Sequence, residues 1–425
     1  MKKQDIDTDN IEEISSLLEK NLLDRNKNLY ALINFINGIN GSMILNIDGA
    51  WGTGKSVFLK ELEYVGTTKE YIEYGKQEYR TIVDKFKKEY FVFYFNSWEH
   101  DLYSNPMESL ISELLMKIAS EEGVDDKIDS IKDEISEILK KVGSEFFSRG
   151  IKKITSGLIE FKDFVEEKED FIPKITSINT KKEAINLLIQ KLSSITDKRI
   201  LIIVDELDRC KPSYAVELLE IVKHFFTHDD VVFLFGTNKS ELEHTIKSLY
   251  GQGFNGYKYL NRFFDFEFSL PSINNETYAD KKYVEHLGTI VNSTIANTCD
   301  YFDFTMRDID RFYSLFNTLN LNTYYSSNDS TFINNIVMVY AIALKIDNGS
   351  KYNNFINGLG EDSFVEYCLT QEDTIKRIYR VEDIKEKVKE IYSIVVAIRN
   401  NSKINFGMTY EHLAYCLSLL TMLNI

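Results

Sequence analysis

Residues 49–56 have the types and spacing needed to bind phosphate. They read Gly49-Ala50-Trp51-Gly52-Thr53-Gly54-Lys55-Ser56 and fit the pattern G-x-x-x-x-G-K-[ST]. Glycines let the backbone curl so that successive N–H groups point at phosphate oxygens, and the dipole of a following helix adds to the attraction. We therefore expect Gly49, Gly52, Thr53 and Gly54 to form a phosphate loop, Lys55 to bridge β- and γ-phosphates, and the Ser56 hydroxyl to bind Mg²⁺.

An acidic pair follows a second apolar segment. Leu201-Ile202-Ile203-Val204 predicts a buried strand that ends directly before Asp205 and Glu206. Parallel sheets bind ligands beyond the carboxyl ends of their strands, so this pair is expected near the loop. Asp205 is predicted to hold Mg²⁺ and Glu206 to act as the general base on the attacking water. Hydrolysis of a nucleoside triphosphate is the chemistry that this combination favours.

Two asparagines follow other predicted strands. Asn238 comes after Val231–Phe235 and is interpreted as a sensor of the γ-phosphate or of the catalytic water, with capping of the next helix as the alternative. Asn96 follows Phe91–Phe95 and is interpreted as a residue that holds Glu206 in an inactive pose, with a turn residue as the alternative.

Three arginines are candidates for stabilising the charge that phosphoryl transfer develops: Arg209, Arg262 and Arg307. Each one taken alone is more often a surface ion-pair partner. We expect at least one of them to act on the nucleotide, and the sequence leaves open which one it is.

Several spaced segments resemble motifs of one family, the KAP family of P-loop NTPases. Trp51 inside the loop is similar to the family's G-x-W-G-x-G-K-S, and Asn96-Ser97-Trp98-Glu99 is similar to its F-N-x-W element. Residues 204–212 and 215–223 resemble its extended Walker B segment, and residues 257–264 with Leu270-Pro271 resemble its Y-L-x-K-x-F…L-P stretch. The resemblance covers about residues 25 to 320. The chain departs from the pattern at Thr237-Asn238, where an Asp-based turn is usual, and at Arg262, where lysine is commoner.

The resemblance implies an ATPase that uses ATP and Mg²⁺. The helix opened by residues 305–311 is similar to the arginine-bearing sensor helix that follows the core in this family, which would give Arg307 its role. Many members carry membrane spans between the two Walker motifs, and this chain resembles the soluble bacterial branch, which is associated with antiphage defence. No nuclease, protease or NAD-consuming pattern is visible, so a partner or effector encoded elsewhere is expected.

Strands alternate with helical patterns, which predicts an α/β fold with a mostly parallel P-loop sheet flanked by helices. Strands are predicted over 43–48, 91–95, 199–204, 231–235 and 264–270, and helical periodicity is predicted over 11–40. We expect four regions: an N-terminal helix with the first half of the core (1–120), a charged helical insertion (121–190), the second half of the core (191–275) and an all-helical C-terminal region (276–425).

The net charge and the lengths of the apolar runs make some classes of function less favourable. The net charge is −16, which makes binding to nucleic acid improbable without excluding it. The polar N-terminus is unlike a signal peptide, and the apolar runs are shorter than the roughly 18 residues of a membrane helix, so a cytoplasmic protein is expected. Three alternatives stay open: a switch that binds ATP with little turnover, a motor stimulated by nucleic acid, and GTP as the nucleotide, because Asn238-Lys239 partly matches a guanine-binding element. A homo-oligomer is also possible.

Overall fold

The computed structural model describes residues 6–69, 77–102, 105–142, 178–271, 278, 289–319, 329–379, 383–399 and 408–422. The chain divides into two compact units. The first, the nucleotide unit, contains residues 7–20 and 25–271. The second, the helical unit, contains residues 1–6, 21–24 and 272–425. The predicted division at residues 120, 190 and 275 stays a prediction.

The nucleotide unit contains one parallel sheet. In the described residues its strands are β1 (Met43–Asp48), β2 (Tyr90–Asn96), β3 (Arg199–Asp205), β4 (Val231–Thr237) and β5 (Phe266–Ser269). Their order across the sheet is β2-β3-β4-β1-β5, and each neighbouring pair is parallel. The carboxyl ends of all five strands therefore lie at one edge, where the predicted functional residues follow β1, β2, β3 and β4.

The central strands are buried on both faces because their sequences are almost continuously apolar. Every residue of β4 is buried, and so is every residue of β3 after Arg199. Such runs need helices on both sides of the sheet. The predicted α/β fold with a parallel sheet flanked by helices is confirmed.

Helices cover the sheet. They are α1 (Ile11–Lys20), α2 (Asn26–Ile36), α3 (Lys55–Thr67), α4 (Gln77–Glu89), α5 (Pro106–Ala119), α6 (Asp125–Val142), α7 (Ile178–Thr196), α8 (Pro212–Phe225), α9 (Lys239–Tyr250) and α10 (Gly256–Leu260). In α5, α7 and α8 the buried aliphatic residues join the core cluster that contains Phe91, Ile202 and Phe233.

The helical periodicity predicted over residues 11–40 is divided between two helices. α1 ends at Lys20 and α2 begins at Asn26. Asn21 and Asp24 adopt left-handed backbone conformations, with φ of 45° and 52°. A left-handed residue cannot continue a right-handed helix, so the repeat of apolar residues is interrupted although its spacing persists.

The region from residue 121 to 190 is predicted as a charged helical insertion, with a solvated surface as the expected role of its charges. The described part of it is amphipathic instead: Ile135, Ile138 and Leu139 of α6 are buried in the core cluster, as are Leu188 and Leu192 of α7. The charged residues of these helices whose side chains are described are exposed or partly buried, for example Lys191, which pairs with Glu134. Residues 143–177 lie outside the described residues.

The described part of the helical unit consists of helices, as predicted for the C-terminal region. They are α11 (Thr289–Tyr301), α12 (Met306–Thr318), α13 (Asp329–Asp347), α14 (Gly349–Ile356), α15 (Glu361–Leu369), α16 (Glu372–Tyr379), α17 (Ile384–Arg399) and α18 (Met408–Met422). Its core contains a cluster of aromatic rings, in which Tyr340 stacks on Tyr367 with 4.5 Å between centroids. Among the described residues of the whole chain, no helix is both long and apolar enough to cross a membrane.

Candidate functional site

The glycine-rich segment forms a tight loop between β1 and α3. Gly52 and Gly54 have φ of 78° and 85°, a region that residues with a side chain rarely adopt, which explains glycine at both positions. Gly54 precedes the first residue of α3, so the loop leads directly into the positive end of that helix. The Thr53 hydroxyl donates to the carbonyl of Ala50 at 2.7 Å and closes the turn.

Lys55 lies inside this loop. Its side chain is 8% exposed, and its ammonium donates to the carbonyls of Gly49 at 2.5 Å and Ala50 at 3.1 Å. Burial lowers the pKa of Lys55, while Asp208 and Asp205 act in the opposite direction. The lysine is therefore a cation held at the loop by carbonyls and nearby carboxylates, a suitable position for meeting phosphate.

Asp205 joins the loop to the neighbouring strands. Its carboxylate is buried and accepts hydrogen bonds from the Ser56 hydroxyl, from the Tyr94 hydroxyl at 2.8 Å and from the Glu206 backbone N–H at 2.8 Å. Burial raises the pKa of Asp205, and these hydrogen bonds oppose the shift. Ser56 and Asp205, 149 positions apart in the sequence, are thus in direct contact.

The donor set of Ser56 and Asp205 fits magnesium. Carboxylate and hydroxyl oxygens are hard ligands, and Mg²⁺ is usually held by one or two carboxylates together with substrate phosphates and water. Among the described residues no group of three or more His, Cys, Asp or Glu side chains could hold a metal by itself. A site completed by the phosphates of a nucleotide agrees with that composition.

Glu206 has an unusual backbone and a charged partner. Its φ of 60° and ψ of 23° place it in the left-handed region, where the chain turns into a short 3₁₀ helix at Leu207–Arg209. The Glu206 carboxylate and the Arg209 guanidinium form an ion pair at 3.0 Å. Arg209 also lies 5.6 Å from the centroid of the Trp98 ring. The predicted base and one predicted arginine are therefore paired with each other.

The two predicted asparagines lie at the carboxyl ends of β2 and β4, the strands on either side of β3. Asn96 donates to Glu99 at 2.7 Å and accepts from the Trp98 backbone N–H at 3.2 Å, while Asn238 accepts from the Glu241 backbone N–H at 3.4 Å as the N-cap of α9. Asn96 and Glu206 line the same cavity of about 360 Å³ beside Ser56. The contacts with Glu99 and Glu241 are those of a turn residue and a helix cap. The role of Asn96 in holding Glu206 and the sensor role of Asn238 stay predictions.

The other two arginines are exposed. Arg262 lies in the turn after α10, and Arg307 lies on the exposed face of α12 in the helical unit. Arg307 directly follows the first residue of a helix with a capping box formed by Thr305 and Asp308. Neither guanidinium has an ion pair with a described residue.

Arg25 was missed by sequence reasoning. It is 2% exposed, and its guanidinium donates to the carbonyl of Thr53 in the phosphate loop at 2.7 Å and to the carbonyl of Pro271 after β5. Burial lowers its pKa to about 10. Glu61 of α3 is buried nearby, and burial raises the pKa of Glu61 to about 8. The residues near Arg25 in the sequence do not indicate its role, because its hydrogen-bond partners are 28 and 246 positions away.

Other contacts that the sequence did not predict connect the phosphate loop and the end of β1 to neighbouring segments. The Trp51 indole N–H donates to Asp208, so the tryptophan of the loop is tied to the segment that carries Glu206. The Lys239 backbone N–H donates to Asp48 at 2.8 Å, and its ammonium binds Glu267 at 2.6 Å. The sequence does offer a sign of the role of Tyr94. It is the only residue with a hydroxyl group among the three residues of β2 that precede Asn96.

Sequence comparison agrees with this geometry. The model of the KAP family P-loop domain matches residues 25–323, which include the whole sheet, the loop and the acidic pair. No curated protein matched the chain.

Proposed function

Because this chain belongs to the KAP family of P-loop NTPases, we propose that it binds ATP with Mg²⁺ and hydrolyses it to ADP and phosphate. The observation that carries the proposal is the contact of the Ser56 hydroxyl with the Asp205 carboxylate, with Lys55 held in the adjoining loop. A hydroxyl, a carboxylate and a cation close together support the proposal, because a nucleoside triphosphate and its metal are bound by groups of these kinds.

The chain's own residues have distinct tasks in this mechanism. The N–H groups of the loop and the ammonium of Lys55 bind the β- and γ-phosphates, and Ser56 and Asp205 hold the Mg²⁺. When bound, the metal neutralises the charge that develops on the phosphate oxygens. Glu206 accepts a proton as the water oxygen bonds to the γ-phosphorus, and the bond from that phosphorus to the ADP oxygen breaks. Asn238 follows β4, the strand between β3 and β1, and its proposed task is to sense the γ-phosphate or the water.

Adenine is the proposed base. A guanine reader of the Asn-Lys-x-Asp type needs an aspartate two positions after the lysine, and this chain has Glu241 there. In addition, Asn238 caps α9 and the Lys239 ammonium is bound to Glu267, so both matching residues already have partners within the chain. Titration with ATP and GTP tests this, and equal affinities would contradict an adenine-selective pocket.

The resemblance to the soluble bacterial branch supports a biological role. We place the ATPase cycle in antiphage defence, where it works as a conformational switch or assembly motor for an effector encoded elsewhere. Plating of phages on cells that express the wild-type chain or the Lys55→Ala chain, each with its native neighbouring genes, tests this role. Equal plating on both strains would contradict it.

A second candidate is a signalling scaffold that holds ATP with little turnover. The Glu206–Arg209 ion pair favours it, because a carboxylate bound to a guanidinium is a poorer base. Steady-state phosphate release separates the two candidates. A wild-type rate no higher than that of the Lys55→Ala variant, while ATP still binds to the wild type, would leave only the scaffold.

A further inference from the structure

The helical unit contains a cavity of about 460 Å³ that has no place in the ATPase chemistry. Residues of α11, α13, α14 and α15 line it, and they include Tyr301, Phe302, Tyr340 and Phe355. Binding sites for small molecules typically have volumes of ~300–1,000 Å³, with aromatic walls and a few polar groups. The size of this cavity fits that class, and its lining combines aromatic rings with the charged residues Asp347, Lys351 and Glu366.

Tyr340 lies in the wall of this cavity. The residue is 2% exposed, and its ring packs against Tyr367 at 4.5 Å and Phe355 at 5.1 Å. Yet the hydroxyl makes no hydrogen bond with any residue that the structure describes, although burial raises its pKa. Its oxygen is not a fully buried atom, so the hydroxyl is open to the cavity, where a ligand can reach it.

Neighbouring tyrosines show the contrast. Tyr392 donates to the carbonyl of Phe355 at 3.0 Å and accepts from the Gly360 backbone N–H at 2.8 Å. Tyr367 shares a hydrogen bond of 2.8 Å with Thr298. The same aromatic cluster thus satisfies its hydroxyls within the protein at these positions and leaves the Tyr340 hydroxyl available at the cavity.

The charges at the cavity select the ligand. Lys351 is already bound to Asp347 at 2.9 Å, whereas Glu366 has no ion pair with a described residue. Burial is the main cause that raises the pKa of the Tyr301 and Tyr340 hydroxyls, and the nearby Glu366 carboxylate adds to both shifts, while Lys351 opposes the shift of Tyr301. An unpaired carboxylate next to aromatic rings favours a cation, since the rings attract positive charge with their faces.

We propose that this cavity binds a small organic cation, with an ammonium or guanidinium group on an apolar or aromatic body. The cationic group donates to Glu366 and to the Tyr340 hydroxyl, and the body packs on Phe302 and Phe355. The site lies wholly within the helical unit and does not depend on nucleotide binding.

Three probes that share one body test the charge preference: phenethylammonium, the neutral 2-phenylethanol and the anionic phenylacetate. Binding to the full-length protein is measured by ligand-observed NMR and calorimetry. We expect the cation to bind at least about tenfold more tightly than the neutral probe, a difference of ~1.4 kcal/mol. No detectable binding of the cation at millimolar concentration, or equal binding of cation and neutral probe, would overturn the proposal.

Two variants locate the binding. Glu366→Gln should remove the preference for the cation, and Glu386→Gln, an exposed carboxylate on α17 outside the cavity, should keep it. Tyr340→Phe should weaken binding about two- to tenfold, the usual value of one hydrogen bond, without lowering the melting temperature. Unchanged affinity in both cavity variants, or a marked loss of stability in Tyr340→Phe, would show that the hydroxyl and carboxylate have other partners and would overturn the proposal.

Discussion

The carboxylate of Glu206 and the guanidinium of Arg209, three positions later in the chain, form an ion pair at 3.0 Å. Both lie in the turn that follows β3, where Glu206 has a left-handed backbone. Arg209 also approaches the half-exposed ring of Trp98, which follows β2. A contact that changes the position of Trp98 would therefore act on the proposed base through one intervening side chain.

Replacing Arg209 by alanine should raise the basal ATPase rate. The ion pair has side chains 31% and 16% exposed, and partly exposed pairs contribute up to about 1 kcal/mol, so we expect an increase of about two- to fivefold. Phosphate release is measured at a protein concentration low enough to suppress self-association. A decrease of about a hundredfold would instead assign Arg209 to stabilising the charge on the transferred phosphate.

Glu206→Gln should stop hydrolysis while ATP still binds. The amide keeps the shape of the side chain but cannot take a proton from water, so bound ATP should accumulate. Single-turnover assays and nucleotide extraction measure both properties. Glu217→Gln, an exposed carboxylate on α8, is the matched control. Hydrolysis by Glu206→Gln at the wild-type rate would show that another group is the base.

Lys55→Ala should abolish nucleotide binding, because it removes the charge that faces the β- and γ-phosphates. Trp51 in the loop and Trp98 are the two tryptophans of the chain, so Trp51 fluorescence in a Trp98→Phe background reports binding at the loop directly. Lys88→Ala, on the exposed side of α4, controls for the loss of a positive charge. A fluorescence titration of Lys55→Ala that matches the Lys88→Ala curve would contradict the role of Lys55.

The sequence predicted the parts of the site that are local in the chain. The loop, the acidic pair and the strands before them are short segments whose residue types imply their conformation. Arg25, Glu61 and Tyr94 were not found, because their importance depends on partners brought close by the fold, such as Arg25 beside Thr53 and Pro271. The break after α1 was also missed, since the left-handed residues Asn21 and Asp24 do not disturb the apolar spacing.

Glu61 should make stability depend on pH. Burial raises its pKa from 4.5 to about 8 in the folded protein, so the folded chain holds a proton that the unfolded chain releases between these values. The stabilisation is complete below about pH 4.5 and is lost as pH rises towards 8. Glu61→Gln, neutral at every pH, should flatten this decline and stabilise the protein near pH 8 by about 1–3 kcal/mol.

Thermal melting of wild type and Glu61→Gln from pH 5.5 to 8.5 checks this dependence. Glu63→Gln, on the same helix but paired with Lys60 at 3.1 Å, controls for removing a carboxylate. An identical decline with pH in the wild type and Glu61→Gln would show that Glu61 is ionised throughout, with Arg25 compensating its charge.

Assembly can be tested through the exposed arginines. Arg209 is paired with Glu206 in its own chain, whereas Arg262 and Arg307 are exposed and could be supplied by a neighbouring subunit. An arginine supplied in this way can accelerate hydrolysis by ~10³–10⁵, so the specific ATPase activity should rise with protein concentration. Mass photometry with and without ATP follows the oligomer in parallel.

Complementation then identifies the arginine. Lys55→Ala protomers cannot bind nucleotide but keep their arginines, and protomers with Arg262→Ala or Arg307→Ala keep a complete nucleotide site. If one of these arginines acts on the neighbouring site, mixing the two inactive proteins should restore activity, because each mixed interface can join an intact arginine to an intact site.

A mixture of Lys55→Ala and Glu206→Gln protomers is the control and should stay inactive, since neither partner has both a nucleotide and a base. A rate independent of concentration, with no complementation by Arg209, Arg262 or Arg307 variants, would mean that the arginines act within one chain or form surface ion pairs.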